Sequence, residues 1–312
     1  YMLPNNSRSK KKRFNELIKS IKLVYASTFK GEAKSLLRNT AHRIEEEKMA
    51  VILQEITGKS YNKERFYPTF SGVLKSINYY PVSYMKREEG VAYLSLGFGR
   101  TIVDGEKCLR ISPKYPSILP QFFSIKATKE NTQNQFYGLS LKANVNPAED
   151  LQRYSLKVAE MDGALKWVGS VISQEDNILK DTLNINGTRI ISFAPVLKWD
   201  SIHLSEIANE MLKIGKKALG CPVEIEFAVN LNKKRLHEFC LLQIKPIVLT
   251  GLHKNSSNKN YENIFCKSSI TLGDGKITGI KNLIVVRPTT FDISKTKEIA
   301  KEVNEINGQF SI

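Results

Sequence analysis

Val223-Glu224-Ile225-Glu226-Phe227-Ala228-Val229 and Phe239-Cys240-Leu241-Leu242-Gln243-Ile244-Lys245-Pro246 are the two stretches whose alternation decides how this chain is read. Glu224 and Glu226 share one face of the first stretch, and Val223, Ile225 and Phe227 take the other; Gln243 and Lys245 share a face of the second. The spacing predicts two strands of a hairpin, joined by the Asn- and Lys-rich stretch from Leu231 to Glu238. If they pair, two carboxylates, one amide oxygen and one ammonium converge on one face. Mg²⁺ prefers hard oxygen ligands, takes one or two carboxylates and leaves its other positions to phosphate and water, so this is the set a magnesium-nucleotide site needs. Alternation alone favours the plainer reading, a half-buried hairpin with a solvated face.

Outward from the hairpin, four further blocks stand in order: "IKLVYASTF" (Ile21 to Phe29), "MAVILQEITG" (Met49 to Gly58), "FSGVLKSINYYP" (Phe70 to Pro81) and "LGFGRTIVDG" (Leu96 to Gly105). With "EIEFAV" and "LLQIKPI", they resemble the successive landmarks of the ATP-grasp domain in the phosphoenolpyruvate synthase and pyruvate phosphate dikinase family. The resemblance spans roughly Ile21 to Pro246, and it rests on the order of the motifs more than on any one of them.

The resemblance implies that Glu226 and Gln243 ligate the metal, with Glu224 beside them as a second acid. Lys245 stands where the family has Arg, which keeps the attraction to phosphate but loses the planar fork. Arg100 replaces the acid of a Gly-x-Gly-Glu type sequence, and with Lys245 it is the expected catalytic cation. Gly97 and Gly99 let the backbone approach a ligand, although two tight turns would use the same residues. Gln54, Glu55 and Ile56 match the segment lining the adenine pocket, where the backbone does the recognising. The implied cofactors are ATP and Mg²⁺. The implied activity is an ATP-dependent phosphotransferase that passes phosphate to a His on a partner domain. A non-catalytic nucleotide-sensing or domain-docking module is the alternative, with the exchanges at Lys245 and Arg100 as marks of lost chemistry.

The family's upstream Lys and Arg-Ser-Ser segment, its Thr-Ser-His phosphohistidine segment and its pyruvate-binding barrel have no counterpart here. The expectation is a piece of a longer protein, inactive by itself, whose partners are the phosphohistidine and phosphoenolpyruvate/pyruvate-binding domains of the parent chain. With 312 residues and 41% hydrophobic content the chain can bury a sizeable core. No apolar run approaches the ~18 residues of a membrane helix. Cys108, Cys221, Cys240 and Cys266 are too widely spaced to indicate zinc or a disulfide framework, which suits a reducing cytoplasm. The four His residues form no metal spacing. A net charge of +16 raises nucleic acid as a partner. Beyond the Arg8 to Arg13 run, however, the lysines are mixed with acids and no aromatic stacking platform alternates with them, so nucleic acid is not indicated.

Helical spacing of Phe14, Leu17, Ile18, Ile21 and Val24 predicts a helix from about Arg13 to Phe29, with a second from Glu32 to about Glu47. "MAVILQ", "FSGVLKS", "GVAYLSLG" and "KCLRIS" read as strands. Asp150 to Met161 reads as a helix, and "WVGSVIS" and "RIISFAPVL" as strands. Leu204 to Ala218 reads as an amphipathic helix ended by Gly220. The expected fold class is α+β: a partial ATP-grasp-like nucleotide-binding domain over residues 1–248, a linker over 249–263, and a small α/β unit over 264–312 as the start of a following domain. In that unit "ITLGDGKITG" and "NLIVVRP" are expected strands, and Asp292 to Ile306 an expected helix.

Overall fold

The α+β organisation is realised as antiparallel sheets interleaved with helices. The computed structural model describes residues 1–29, 50–82, 85–142, 151–232, 236–247, 264–265, 278–287, 289–292 and 295–310. The chain divides into two compact units, Tyr1–Val248 and Leu249–Ile312.

The first unit opens with α1 (Lys10–Ser27), where Ser9 caps the helix by accepting from the Lys12 N–H at 3.3 Å. The strands β1 (Lys59–Tyr61), β2 (Arg65–Tyr67), β3 (Phe70–Lys75) and β4 (Val91–Leu96) precede a single helical turn, α2 (Arg100–Val103). Next come β5 (Leu109–Ile111), α3 (Ile125–Asn131), β6 (Gln135–Ser140), β7 (Leu151–Ser155) and α4 (Leu156–Met161). The unit then runs through β8 (Gly169–Ser173), β9 (Leu179–Lys180), β10 (Gly187–Ile191), α5 (Ala194–Leu197), α6 (Leu204–Leu219), β11 (Val223–Asn230) and β12 (Glu238–Pro246). Among the described residues three sheets result, with strand orders β1-β2-β6-β7, β10-β8-β9 and β12-β11-β3-β4-β5.

The five-stranded sheet carries the hairpin. One face supplies Phe70, Leu74, Leu94, Val223, Ile225 and Phe227 to the apolar core, where α6 adds Leu204, Ala208 and Leu212. Leu204, Ala208 and Leu212 recur at four-residue spacing, which gives the helix one continuous apolar stripe for the sheet. Gly220 ends α6 in a left-handed conformation at φ +64°, and its N–H bonds the Lys216 carbonyl at 2.9 Å. Pro222 then turns the chain into β11. The entry of β11 is fixed twice by Ser76: its N–H donates to the Val223 carbonyl at 2.9 Å, and its buried hydroxyl accepts from the Val223 N–H at 2.8 Å. Those bonds lock the register that sets Glu224 opposite Lys75.

Several expectations need correction. The apolar run after Met49 is no strand: Ala50 to Gly58 is irregular, and Ile52 and Leu53 are exposed. Leu151 to Ser155 is a strand paired with β6, because that edge satisfies its backbone groups; the helix begins only at Leu156. "RIISFAPVL" is a strand only to Ile191. Phe193 then adopts φ +55° and Ala194 starts a short helix, with Pro195 at its beginning, where the missing N–H costs nothing. In the second unit residues 282–287 of "NLIVVRP" form no strand, and the helix α7 (Thr296–Gln309) starts later than Asp292. The expected helix over Glu32 to Glu47, the linker and residues 266–277 lie outside the described residues.

Candidate functional site

β11 and β12 pair antiparallel, with Glu224 opposite Lys245 and Glu226 opposite Gln243. The register then slips, so that Phe227 faces Leu241 and Leu242 is the extra residue of a β-bulge. The bulge changes which side chains share a face. In an unbroken strand, positions 239, 241, 243 and 245 all point the same way. Here Gln243 and Lys245 align with the two glutamates, while Phe239 turns to the opposite face and stacks on Phe227 at 4.8 Å between ring centroids. One inserted residue thus gives the hairpin both an apolar half and a polar half.

On the polar face a row crosses three strands. Lys245 Nζ lies 2.8 Å from Glu224 Oε1, and Lys75 Nζ, from β3, lies 3.0 Å from Glu224 Oε2. Lys245 Nζ also reaches Glu226 Oε1 at 3.4 Å. The Glu224 side chain is only 16% exposed, so these pairs are less screened than open surface pairs. Burial pushes the Glu224 carboxyl up, but hydrogen bonds from Lys245 and Lys75 outweigh it and hold the group below its ordinary value. The hydrogen bond to Glu224 correspondingly raises the Lys245 ammonium.

A pH dependence follows. A carboxyl depressed in the folded state contributes stability that is complete above the unfolded value of 4.5 and is lost as pH falls through the lower folded value. Melting curves of the native protein and of Glu224→Gln are expected to diverge above pH 5 and to converge as the medium is acidified below pH 4. A constant difference across that range would refute the linkage.

The other expected site residues lie elsewhere. Gly97, Gly99 and Arg100 follow β4; Gly97 alone is about 13 Å along the chain, at ~3.3 Å per residue, from Tyr93, the residue that Val73 connects to Glu226. Gly97 needs its glycine: φ is +75°, and a Cβ there would fall 2.5 Å from the Tyr137 carbonyl oxygen. Arg100 donates from Nε to Asp104 at 2.9 Å, and its guanidinium lies 5.2 Å from the Tyr137 ring centroid. Arg153 joins that cluster through Tyr137 Oη at 2.8 Å and a bond to Glu106. Gln54, Glu55 and Ile56 line a groove of about 810 Å³ with Leu17, Phe66 and Leu139, sharing no lining residue with the carboxylate face.

Sequence reasoning assigned no role to Lys75. The available signal was its place in "FSGVLKS", where Ser71, Val73 and Lys75 share a face and a cation ends an otherwise uncharged row.

The carboxylate face fits a magnesium ion in kind. Glu226 and Gln243 are direct cross-strand partners and offer two hard oxygen donors, which leaves room for phosphate and water. No group of three or more His, Cys, Asp or Glu side chains gathers among the described residues, so a metal on this face would take most of its ligands from phosphate and water. Among the described residues no helix is long and apolar enough to cross a membrane. The model of a protein family described as pyruvate phosphate dikinase, AMP/ATP-binding domain matches residues 8–264. No curated protein matches the chain.

Proposed function

The chain belongs to the pyruvate phosphate dikinase AMP/ATP-binding domain family, and on that premise we propose that the carboxylate face of β11 and β12 is the phosphate and metal end of an ATP site. Membership makes the chain the nucleotide-binding portion of a pyruvate phosphate dikinase-like kinase, with an α+β, ATP-grasp-like domain. The proposal extends this in one respect: the γ-phosphoryl group is passed to a His on a partner domain, and phosphohistidine and phosphoenolpyruvate/pyruvate-binding domains complete the parent enzyme. Residues 1–248 are the nucleotide-binding part and 264–312 open the domain that follows. A cytoplasmic setting, where ATP is abundant, suits this activity.

The observation that carries the proposal is the cross-strand pairing of Glu226 with Gln243, with Lys245 Nζ within 3.4 Å of Glu226. Glu226 and Gln243 would hold Mg²⁺, which when bound neutralises charge on the polyphosphate. Lys245 attracts phosphate oxygens as a point charge and keeps its proton through the bond to Glu224. Backbone groups of Gln54, Glu55 and Ile56 recognise the adenine edge. Gly97, Gly99 and Arg100 serve the far part of the nucleotide, where Arg100 adds positive charge.

The test is a calorimetric titration with ATP, with and without Mg²⁺, on the native protein and on Glu226→Gln, whose fold is checked by its melting curve. Mg²⁺-dependent binding that the folded variant loses is the expected result. Binding indifferent to both Mg²⁺ and Glu226 would make the chain a nucleotide-sensing module without metal chemistry. Absence of binding by the native protein would overturn the proposed site.

A further inference from the structure

We propose that Lys75 is a second phosphate-binding residue of this face, and that Glu224 is the spacer holding Lys75 and Lys245 side by side rather than a metal ligand. The inference rests on the nucleotide reading given above. Lys245, Glu224 and Lys75 form one row across β12, β11 and β3, each the Cα partner of the next. Glu224 uses one oxygen for each ammonium, Oε1 for Lys245 at 2.8 Å and Oε2 for Lys75 at 3.0 Å. Both of its oxygens already accept from an ammonium, which makes Glu224 a poorer metal ligand than Glu226, whose contact with Lys245 is longer at 3.4 Å. The two ammonium groups flank one carboxylate; each has three donors, of which Glu224 takes one, and Glu226 takes a second from Lys245.

Charge balance points the same way. Two carboxylates and two ammonium groups leave the face neutral. Once Glu226 turns to a metal, the remaining set of Glu224, Lys75 and Lys245 carries one net positive charge beside it. Phosphate oxygens on that metal are the anions it meets. Two point charges at fixed separation also give a two-point grip that one Lys cannot give alone and that a guanidinium gives through its fork. The Lys75 side chain is 33% exposed, and its ammonium lies 5.9 Å from the Tyr93 ring centroid, so it is supported from one side and open on another.

The experiment measures affinities for Mg·ATP and for adenosine by calorimetry in the native protein, Lys75→Met, Lys75→Arg, Lys245→Arg and the Lys75→Met/Lys245→Arg double variant, each checked by its melting curve. Lys75→Met is expected to weaken Mg·ATP by about tenfold or more and to leave adenosine unchanged. Lys75→Arg should retain binding. In the Lys75→Met background, Lys245→Arg should recover part of the loss, because the fork restores a second donor. If Glu226→Gln abolishes Mg·ATP binding while Lys75→Met does not change it, or if Lys75→Met weakens adenosine equally, the role of Lys75 is refuted and the nucleotide site stands. Loss of all nucleotide binding in the native protein would overturn both.

Discussion

Replacing Asp162 by alanine is expected to destabilise the first unit by about 3–5 kcal/mol, a cost of the size seen when one partner of a buried ion pair is removed. The Asp162 side chain is fully shielded from solvent and accepts four hydrogen bonds: from Arg65 Nε at 3.1 Å and Nη2 at 2.8 Å, from the Tyr67 hydroxyl at 2.8 Å, and from Asn62 Nδ2 at 3.2 Å. Alanine would leave a guanidinium that is only 13% exposed without its main counterion, and a buried phenol without its acceptor. The Tyr67 hydroxyl is held well above its ordinary pKa by burial, with the bond to Asp162 adding to the effect. Total stabilities of domains are about 5–15 kcal/mol, so this one change consumes a large share. The check is a urea unfolding curve, with Arg65→Met/Asp162→Leu as control. The double variant should recover much of the loss, because no unpaired charge remains. Equal midpoints for native protein and Asp162→Ala would show that the network contributes nothing.

The second large effect is expected at Phe227. Phe227→Ala should cost about 3–5 kcal/mol, because the ring is fully buried and no small rearrangement can fill the space it leaves. Its ring stacks on Phe239, meets Phe70 edge-on at 6.4 Å, and lies over Gly72, where a Cβ would fall 2.2 Å from the Phe227 ring. Gly72→Ala alone should therefore cost about 1–3 kcal/mol by overpacking. In the double variant the new methyl enters the space left by the ring, so the combined loss should be smaller than the sum. Strict additivity in the unfolding midpoints would contradict this packing. Because Phe227 adjoins Glu226 at the bulge, Phe227→Ala should also weaken Mg·ATP binding at temperatures where the variant remains folded.

Much of the fold was legible. Alternation in "FSGVLKS", "GVAYLSLG", "EIEFAV" and "LLQIKP" follows from sheets with one strongly apolar face, and the four-residue spacing in α6 together with Gly220 marks a helix packed on such a sheet. Reading failed where local pattern and tertiary partner disagree. Leu151 to Ser155 has helical spacing but sits beside the open edge of β6 and completes that sheet. Ala50 to Gly58 is apolar enough for a strand, but among the described residues no neighbouring strand pairs with it.

The candidate site divides along the same line. The sequence by itself determined which groups share a face of each strand, because side chains alternate with a period of two, and so it brought Glu224 and Glu226 together, and Gln243 with Lys245. Only the tertiary structure decided that the bulge at Leu242 turns Phe239 away from Gln243, that Lys75 from a strand some 150 positions earlier closes the row on Glu224, and that Asp162 anchors Arg65 and Tyr67. The physical reason is that register, and pairing between distant segments, are set by how the whole core packs and by which backbone groups remain to be satisfied, neither of which is written in the local order of residues.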